Sequence, residues 1–176
     1  AQDVTERVST TKSLQKNEKR FSVIFEKAPF AAALSRLADG VIEIVNEEFE
    51  NILGYTRTEV IGRTSLELGI FPDLDTRTRS GELFQSQGFA RNLEMKLRTK
   101  SSETRIFLVN TDPVEIWDEK FVLTTAKDIT ERKLAEGALH ESEERYRLLT
   151  ENAQDMIYRM SLPDGRYEYV SPAAQD

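Results

Sequence analysis

Residues 46–63 have the sequence NEEFENILGYTRTEVIGR, in which polar residues and glycines bracket short apolar groups. Asn46 is of a residue type that caps helix N-termini, and it precedes a predicted helix over Glu47–Leu53. Gly54 ends this helix, because glycine adopts the left-handed conformation that often follows a helix without steric cost. A second, shorter helix is predicted at residues 59–61, between a threonine and a glycine. The stretch therefore predicts two short helices in close succession.

A β-hairpin is predicted immediately before these helices. Two strand-like segments, Ala31–Leu37 and Val41–Asn46, flank Ala38-Asp39-Gly40. An Asp-Gly pair between strand-like runs is a strong hairpin signal, because the turn needs residues that tolerate a positive φ. Pro29 ends a preceding helix predicted over residues 3–27, since the residue before a proline disfavours helical geometry.

The second half of the chain predicts one longer helix and three strands. The helix covers Asp75–Gln87, and alternating apolar and charged residues at 93–98 indicate a half-buried strand. Two further strands are predicted at Thr104–Thr111 and Phe121–Lys127. Strands in two hairpin groups around a helical insert predict an α+β fold, with a five-stranded antiparallel sheet that carries helices on one face.

The beginning of the chain returns near its end. Residues 1–51 align without a gap with residues 126–176, so that Asp39-Gly40, for example, recurs as Asp164-Gly165. A fixed period marks an array, and this one has the length of a domain. Four segments are therefore predicted: the exit motif of a preceding unit with its connecting helix (1–20), one complete domain (21–130), a second connecting helix (131–151), and the truncated start of another domain (152–176).

The second connecting helix carries a heptad seam. Its apolar and small residues are spaced by four and three positions: Ala135, Leu139, Ser142, Tyr146 and Leu149. This spacing favours a parallel two-chain coiled coil, and therefore a homodimer through the flanking helices. The alternative interpretation is an amphipathic helix packed on its own domain.

Composition excludes several classes of function. The chain has no cysteine, which excludes disulfides, a thiolate nucleophile and cysteine-ligated metals. A net charge of -7 without a basic patch argues against nucleic-acid binding. No apolar run approaches the ~20 residues of a membrane span, so no membrane contact is expected for this segment. We expect a cytoplasmic location, which is compatible with a membrane anchor elsewhere in a longer parent protein.

Three motifs resemble those of PAS domains, the sensory modules of bacterial and archaeal signalling proteins. Residues 46–63 are similar to the PAS motif N-x-x-F-x-x-L-x-G-Y-T-x-x-E-x-I-G. Residues 128–133, DITERK, resemble the DIT-E-R-K ending of PAS domains. Residues 141–147, ESEERYR, resemble the opening of the next PAS domain in a tandem array, and residues 169–174 its second strand. The resemblance implies the PAS fold, with long flanking helices.

The resemblance also implies a role in a multidomain protein. It implies a non-catalytic sensor in a chain of tandem PAS domains, whose parent is a sensor histidine kinase, with a diguanylate cyclase or phosphodiesterase as the alternative output. The expected partners are the neighbouring PAS and output domains of the same chain. At the junction of the last strand with its exit helix, Asp128, Ile129 and Thr130 would form a signal-transmitting joint. Thr130 is expected to cap that helix, and Asp128 to bond backbone donors or a nearby Arg or Lys.

PAS ligands lie between the sheet and the helices, which identifies candidate residues for a pocket. The candidate lining residues are Leu53, Leu83, Phe84, Met95, Phe107, Val109, Leu123 and Thr125. The candidate polar contacts are Arg91, Asn92 and Arg105. The alternative is that these residues form a filled core, which would make the domain a ligand-free interaction spacer.

No cofactor, metal site or catalytic residue is expected. Haem-binding PAS domains use a histidine on their long helix, and residues 75–87 contain none, so haem is not expected. Light-sensing flavin PAS domains use a cysteine for the covalent adduct, which this chain lacks. A non-covalent flavin, which would make the domain a redox sensor, and a small organic ligand stay open. The single histidine, His140, lies in the connecting helix and is interpreted as a solvated residue.

Overall fold

The computed structural model describes residues 19–116, 118–151 and 158–170. It divides into two compact units, one ending at Thr130 and the other beginning at Glu131. Much of the predicted helix over residues 3–27, and the ends of the predicted second domain start, lie outside the described residues.

The first unit contains a single sheet with short helices inserted after its second strand. Its elements are α1 (19–26), β1 (Ala31–Arg36), β2 (Ile42–Val45), α2 (Glu47–Leu53), α3 (Arg57–Val60), α4 (Leu74–Gln87), β3 (Ala90–Arg98), β4 (Thr104–Ile116) and β5 (Glu119–Asp128). The sheet order is β2-β1-β5-β4-β3, and all neighbouring strands are antiparallel. The predicted α+β fold with a five-stranded antiparallel sheet is thus confirmed.

The predicted glycine ends the first of the two short helices, and a threonine caps the second. Gly54 has a φ of 78° and ends α2. The second helix, α3, begins at Arg57 rather than at residue 59. The reason is a capping box, in which the Thr56 backbone N–H donates to Glu59 Oε2 at 2.9 Å and closes the first turn earlier.

Strand β4 is longer than predicted. It continues past Thr111 to Ile116, which pairs with Glu119 at the start of β5. Asp118, with a φ of 62°, lies in the turn between them. The turn is tight, so β4 and β5 stay paired up to it. Pro113 therefore lies within the paired region, opposite Val122, and does not end the strand.

The core lies between the sheet and the helical insert. Val60 of α3 and Phe107 of β4 are completely buried, and Phe49 and Leu53 of α2 pack with them. The apolar residues of the short helices thus cover one face of the sheet, as expected for amphipathic elements on a sheet.

The second unit contains the rest of α5 (Thr130–Glu151) and a hairpin of β6 (Tyr158–Met160) and β7 (Tyr167–Val170). Its turn repeats that of the first hairpin. Gly40 N–H donates to the Arg36 carbonyl at 2.9 Å, and Gly165 N–H donates to the Ser161 carbonyl at 2.9 Å. The aligned residues therefore form the same turn in both hairpins. In the described part of the chain, no helix has the length and apolarity needed to cross a membrane.

Candidate functional site

A cavity of about 520 Å³ lies between the inner face of the sheet and the helical insert. Short side chains explain this space. Strand β1 presents Ala31, Ala33 and Ser35 to the cavity, and α4 presents Gly81. A Cβ atom added at Gly81 would meet nothing within 4 Å, so this glycine leaves room in the middle of a helix. The volume lies in the range of small-molecule sites.

The rest of the lining is mostly apolar. It includes the side chains Ile42, Phe49, Leu53, Ile70, Phe71, Phe84, Met95, Leu97, Val109, Val122 and Ala126. An apolar lining with a few polar groups is typical of sites for small organic molecules.

The predicted lining residues divide into two groups. Four of them line the cavity: Leu53, Phe84, Met95 and Val109. The other four do not: Leu83, Phe107, Leu123 and Thr125. Phe107 is packed entirely within the core. On β5 the prediction chose the wrong face, because Thr124 pairs with Ala33 and so the even-numbered residues face the cavity.

None of the predicted polar contacts lines the cavity. Arg91 is exposed and forms an ion pair with Asp112 at 2.7 Å. The Asn92 backbone N–H donates to Asn110 Oδ1 at 2.8 Å, also on the exposed side. Arg105 contacts Glu103, just before β4, and Asp128, at the end of β5, as described below. The structure does not place these residues at the cavity, because Arg91 and Arg105 pair with carboxylates elsewhere on the sheet and Asn92 lies on its exposed side.

Sequence reasoning missed the polar residues that do line the cavity. Ser35, Thr111 and Thr124 belong to the sheet, and Arg77 and Glu82 belong to α4. Two signals were present in the sequence, the run of alanines at residues 31–33 and a glycine within the predicted long helix. Both place small side chains on elements that face each other across the cavity, and this leaves side-chain volume unfilled there.

A buried amide lies next to the cavity wall. Asn46 is fully buried, and its Oδ1 accepts hydrogen bonds from the backbone N–H of Ala32 at 2.8 Å and of Phe49 at 3.0 Å. Its Nδ2 donates to the carbonyls of Phe25 at 3.1 Å and Phe30 at 2.9 Å. Asn46 thus joins the end of α1, β1 and α2, in addition to its predicted role as a helix cap.

Ion pairs reinforce this junction at the surface. Arg57 pairs with Glu26 at the end of α1 and with Glu50, whose Oε2 is 3.2 Å from Arg57 Nε. Lys27 pairs with Glu47 at 2.7 Å. The hydrogen bond that Arg57 donates to the Glu26 carboxylate raises the pKa of Arg57 above its usual value. These exposed pairs contribute modestly to stability, but they connect α1 to α2 and α3.

The predicted joint lies where β5 becomes α5. The Asp128 carboxylate accepts the backbone N–H of Thr130 at 2.9 Å, so Asp128 satisfies a donor at the start of α5. The Thr130 hydroxyl accepts the backbone N–H of Ile106 at 2.9 Å on the neighbouring strand. The predicted cap role of Thr130 was therefore wrong. Because β5 ends at Asp128, Ile106 lacks a backbone acceptor there, and the Thr130 hydroxyl supplies one.

Two other contacts complete this junction. Ile129 is buried, and its N–H donates to the Ile106 carbonyl at 2.9 Å. Arg105 lies 3.4 Å from Asp128 and 2.8 Å from Glu103. The hydrogen bond from Arg105 lowers the pKa of Glu103, and the same bond raises the pKa of Arg105. The three joint residues are thus tied to β4 by backbone and side-chain bonds.

The predicted seam residues all lie on exposed parts of α5. The side chains concerned are Ala135, Leu139, Ser142, Tyr146 and Leu149. Leu139 is 61% exposed, Tyr146 69% and Leu149 62%. His140 is exposed as well, 3.8 Å from Glu144 on the same helix.

Within residues 19–116, 118–151 and 158–170, no group of three or more histidine and carboxylate side chains is placed to hold a metal ion.

Comparison with known proteins agrees with this architecture. The family model for the PAS domain matches residues 29–131. A search of curated proteins gave no match. Among solved structures, the PAS domain of an HTR-like protein from Haloarcula marismortui is 27% identical, with a TM-score of 0.52, over 69% of this chain and 98% of that chain.

Two other similar structures come from kinases. The PAS domain of a two-component sensor histidine kinase is 14% identical, with a TM-score of 0.55, over 65% of this chain and 97% of that one. The LOV domain of a blue-light activated histidine kinase from Erythrobacter litoralis is 20% identical, with a TM-score of 0.51, over 59% and 99% of the two chains. At these identities the likeness shows the shared fold alone.

Proposed function

The chain belongs to the PAS domain family, and on this premise we propose that its sensory domain binds a small organic molecule and relays binding through α5 to an output domain downstream. The observation that carries the proposal is the cavity of about 520 Å³ on the inner face of the sheet. A ligand-free spacer would be expected to fill this space with larger side chains, because protein interiors are close-packed.

A cavity-filling variant tests the ligand site. Gly81→Leu places a side chain in open space within the cavity, and it also raises helix propensity, so the fold should persist. Small molecules that raise the melting temperature of the wild-type protein should lose this effect in Gly81→Leu. Gln87→Leu, at the exposed end of α4, is the matched control and should keep it. Hits that stabilise Gly81→Leu as well as wild type would contradict the proposed site.

The relay is proposed to pass through Asp128, Ile129 and Thr130. These residues bond both to β4 and to the start of α5, so a shift of the sheet changes the contacts that hold the helix. Asp128→Ala in the full-length protein should uncouple output from ligand while leaving basal output. Asp39→Ala, which breaks an exposed pair with Arg36 in the first hairpin, is the control. Normal regulation in Asp128→Ala would rule out the joint.

We propose a histidine kinase as the output, with dimerisation through α5. The support is that two of the similar structures are described as parts of histidine kinases. A diguanylate cyclase or phosphodiesterase is the alternative output. Autophosphorylation of the full-length protein with ATP, compared with turnover of cyclic dinucleotides, separates these two outputs.

A non-covalent flavin is the second candidate for the occupant. It is favoured by the LOV proteins among the similar structures, although this chain has no cysteine for a covalent adduct. An absorption spectrum of freshly purified protein decides this point. Flavin bands that disappear in Gly81→Leu would identify the cavity as a flavin site and make the domain a redox sensor.

A further inference from the structure

The hairpin of β6 and β7 has the same register as the hairpin of β1 and β2. The paired residues of the first hairpin are Ala33 with Val45, Leu34 with Ile44, and Ser35 with Ile42. The residues that the repeat aligns with them form the pairs Tyr158 with Val170, Arg159 with Tyr169, and Met160 with Tyr167. The register shifts after the second of these pairs in both hairpins. Because a slip of one residue would turn every side chain to the other face, this identity places aligned side chains on equivalent faces.

One face of the first hairpin lies on the cavity. Its side chains there are Ala33, Ser35 and Ile42. The aligned side chains of the second hairpin are Tyr158, Met160 and Tyr167. The rings of Tyr158 and Tyr167 meet edge to face, with their centroids 5.6 Å apart, so these two side chains share one face.

The two sets of side chains differ greatly in size. A phenol ring at residue 158 takes the place of the methyl group of Ala33, and a thioether chain at residue 160 takes the place of the hydroxymethyl group of Ser35. In the first unit, the small side chains of this face leave the cavity open. In a domain of the same fold, the larger side chains project into that space and fill it, because protein interiors are close-packed.

The fold of the first unit indicates what covers the second hairpin. Tyr158, Met160 and Tyr167 are exposed, whereas Ala33 and Ile42 are buried beneath the helical insert. Exposed apolar side chains on one face favour burial. Since the two hairpins share register, bulge and turn, the cover that fits the second is the helical insert of a second domain in the longer parent protein.

We infer that the hairpin of β6 and β7 belongs to a second domain of the same fold whose core is filled, so that this domain binds no ligand in the space equivalent to the cavity. Tyr158 and Met160 occupy that space. The first domain of the pair senses the ligand, and the second transmits the change. This inference rests on the proposed function, because the contrast requires that the first cavity bind a ligand.

Two methionines report on the two domains separately. Met95 lines the cavity of the first unit, and Met160 lies on the equivalent face of the second hairpin. Benzene is the probe, because it enters apolar cavities without requiring polar contacts. Full-length protein carrying ¹³C-methyl methionine is titrated with benzene, and the two signals are assigned from Met95→Leu and Met160→Leu. We expect the Met95 signal to shift saturably and the Met160 signal to stay in place.

Opening the second core should create a site. Tyr158→Ala in the full-length protein removes the ring and leaves a cavity, since the surrounding structure relaxes only partially. Benzene should then shift the Met160 signal as well as the Met95 signal. An unchanged Met160 signal in Tyr158→Ala would contradict the filling role of this ring.

The reverse change should close the first cavity. Ala33→Tyr places the aligned ring in the first hairpin, and the Met95 signal should then no longer shift with benzene. Ser35→Met is a smaller change on the same strand and should reduce the shift, which keeps the test valid if Ala33→Tyr does not fold. Ile44→Tyr introduces the aligned outer-face residue at an exposed position and is the matched control, with a normal Met95 response.

Oxidation identifies the cover of the second hairpin. Peroxide should oxidise Met160 rapidly in the chain of 176 residues, where it is exposed, and slowly in the full-length protein at every concentration. Met95 is buried and should be protected in both. Protection of Met160 that rises with protein concentration would assign the cover to a second copy, and rapid oxidation in the full-length protein would exclude a second domain on this face.

The outcomes separate this inference from the proposed function. A Met160 signal that shifts with benzene in the wild-type full-length protein would show an open second cavity and overturn the inference, while a shifting Met95 signal would still support the ligand site. If Met95 does not respond, or responds equally in Gly81→Leu, the proposed ligand site fails, and the contrast between the two domains fails with it.

Discussion

Asn46 shows how much one buried side chain connects in this fold. Its amide makes four hydrogen bonds, to backbone groups of α1, of the segment that follows α1, of β1 and of α2. A buried polar group is favourable only when its partners are present, and here all donors and acceptors of the amide are used. Asn46 is therefore a structural centre of the domain and not only a helix cap.

Replacing Asn46 should be costly. Asn46→Ala removes the hydrogen-bond partner of two backbone N–H groups and two backbone carbonyls. We therefore expect the free energy of unfolding to fall by about 3 kcal/mol. Urea unfolding of the purified protein measures this value. Asn51→Ala, on the exposed face of α2, is the control and should change it by less than about 0.5 kcal/mol. A similar small change in Asn46→Ala would contradict the central role of the amide.

The Glu59 carboxylate has a strongly lowered pKa. Hydrogen bonds from Lys100 and from Thr56 lower the pKa of Glu59 from 4.5 to about 2. The Lys100 contact, 2.6 Å long, connects α3 to the turn before β4. The folded protein therefore binds the proton of Glu59 less tightly than the unfolded chain does.

The direction of the pH effect follows from this shift. Because the folded pKa is lowered, the carboxylate contributes stability that is complete above pH 4.5 and is lost as the pH falls from 4.5 to about 2. Glu59→Gln should be less stable than wild type at pH 7 and should lose less stability across that acid window. Urea unfolding from pH 7 to pH 2 tests this, with Glu115→Gln as the control. Parallel pH curves for Glu59→Gln and wild type would contradict it.

At the scale of elements, α5 differs from α2 and α3. The apolar residues of α2 and α3 are buried against the sheet, whereas Leu139, Tyr146 and Leu149 of α5 are mostly exposed. A helix of 22 residues with an exposed apolar seam would gain much of its stability from a partner helix. In the proposed dimer, a second copy of the chain supplies the identical seam.

Charge placed on the seam should break the proposed dimer. Leu139→Lys should raise the dimer dissociation constant at least about tenfold, because it places a charge in the helix interface. Leu134→Lys is a matched control, since Leu134 is similarly exposed, at 68%, but lies outside the heptad seam. Sedimentation equilibrium measures both variants. Equal dissociation constants for both, or a monomeric wild type, would rule out the seam.

At the scale of the whole molecule, burial is concentrated in the first unit. The central strands β4 and β5 pair along ten residues and carry buried side chains such as Phe107, Val109 and Ala126. In the second unit, all residues of β6 and β7 are exposed. Local stability should therefore differ strongly between the two units.

Hydrogen exchange should map this difference. Amides of β4 and β5 should exchange only through global unfolding, whereas those of α5 and the second hairpin should exchange much faster in dilute protein. Protection of α5, but not of the hairpin turn, should rise with protein concentration if α5 dimerises. Mass-spectrometric exchange at two concentrations measures both effects. Equal protection in β5 and α5 at low concentration would contradict this prediction.

Local signals in the sequence account for the order of elements. The cap at Asn46, the helix stop at Gly54 and the hairpin at Asp39-Gly40 act within a few residues, and each appears where it was predicted. Where the prediction differed, as at Arg57 and Ile116, the boundary depends on a capping box or on a partner strand. Such boundaries are set by contacts and not by residue type alone.

The sequence by itself determined the fold class, the repeat and the place where the last strand passes into α5, because helix caps, glycine stops and alternating patterns are local properties. Only the tertiary structure decided which residues form the cavity. On β5, both faces of Phe121–Ala126 carry apolar and threonine residues, so periodicity cannot choose between them, and pairing with β1 turns Thr124 inward. Likewise Arg91 and Arg105 find carboxylates through strand register, which joins residues distant in sequence.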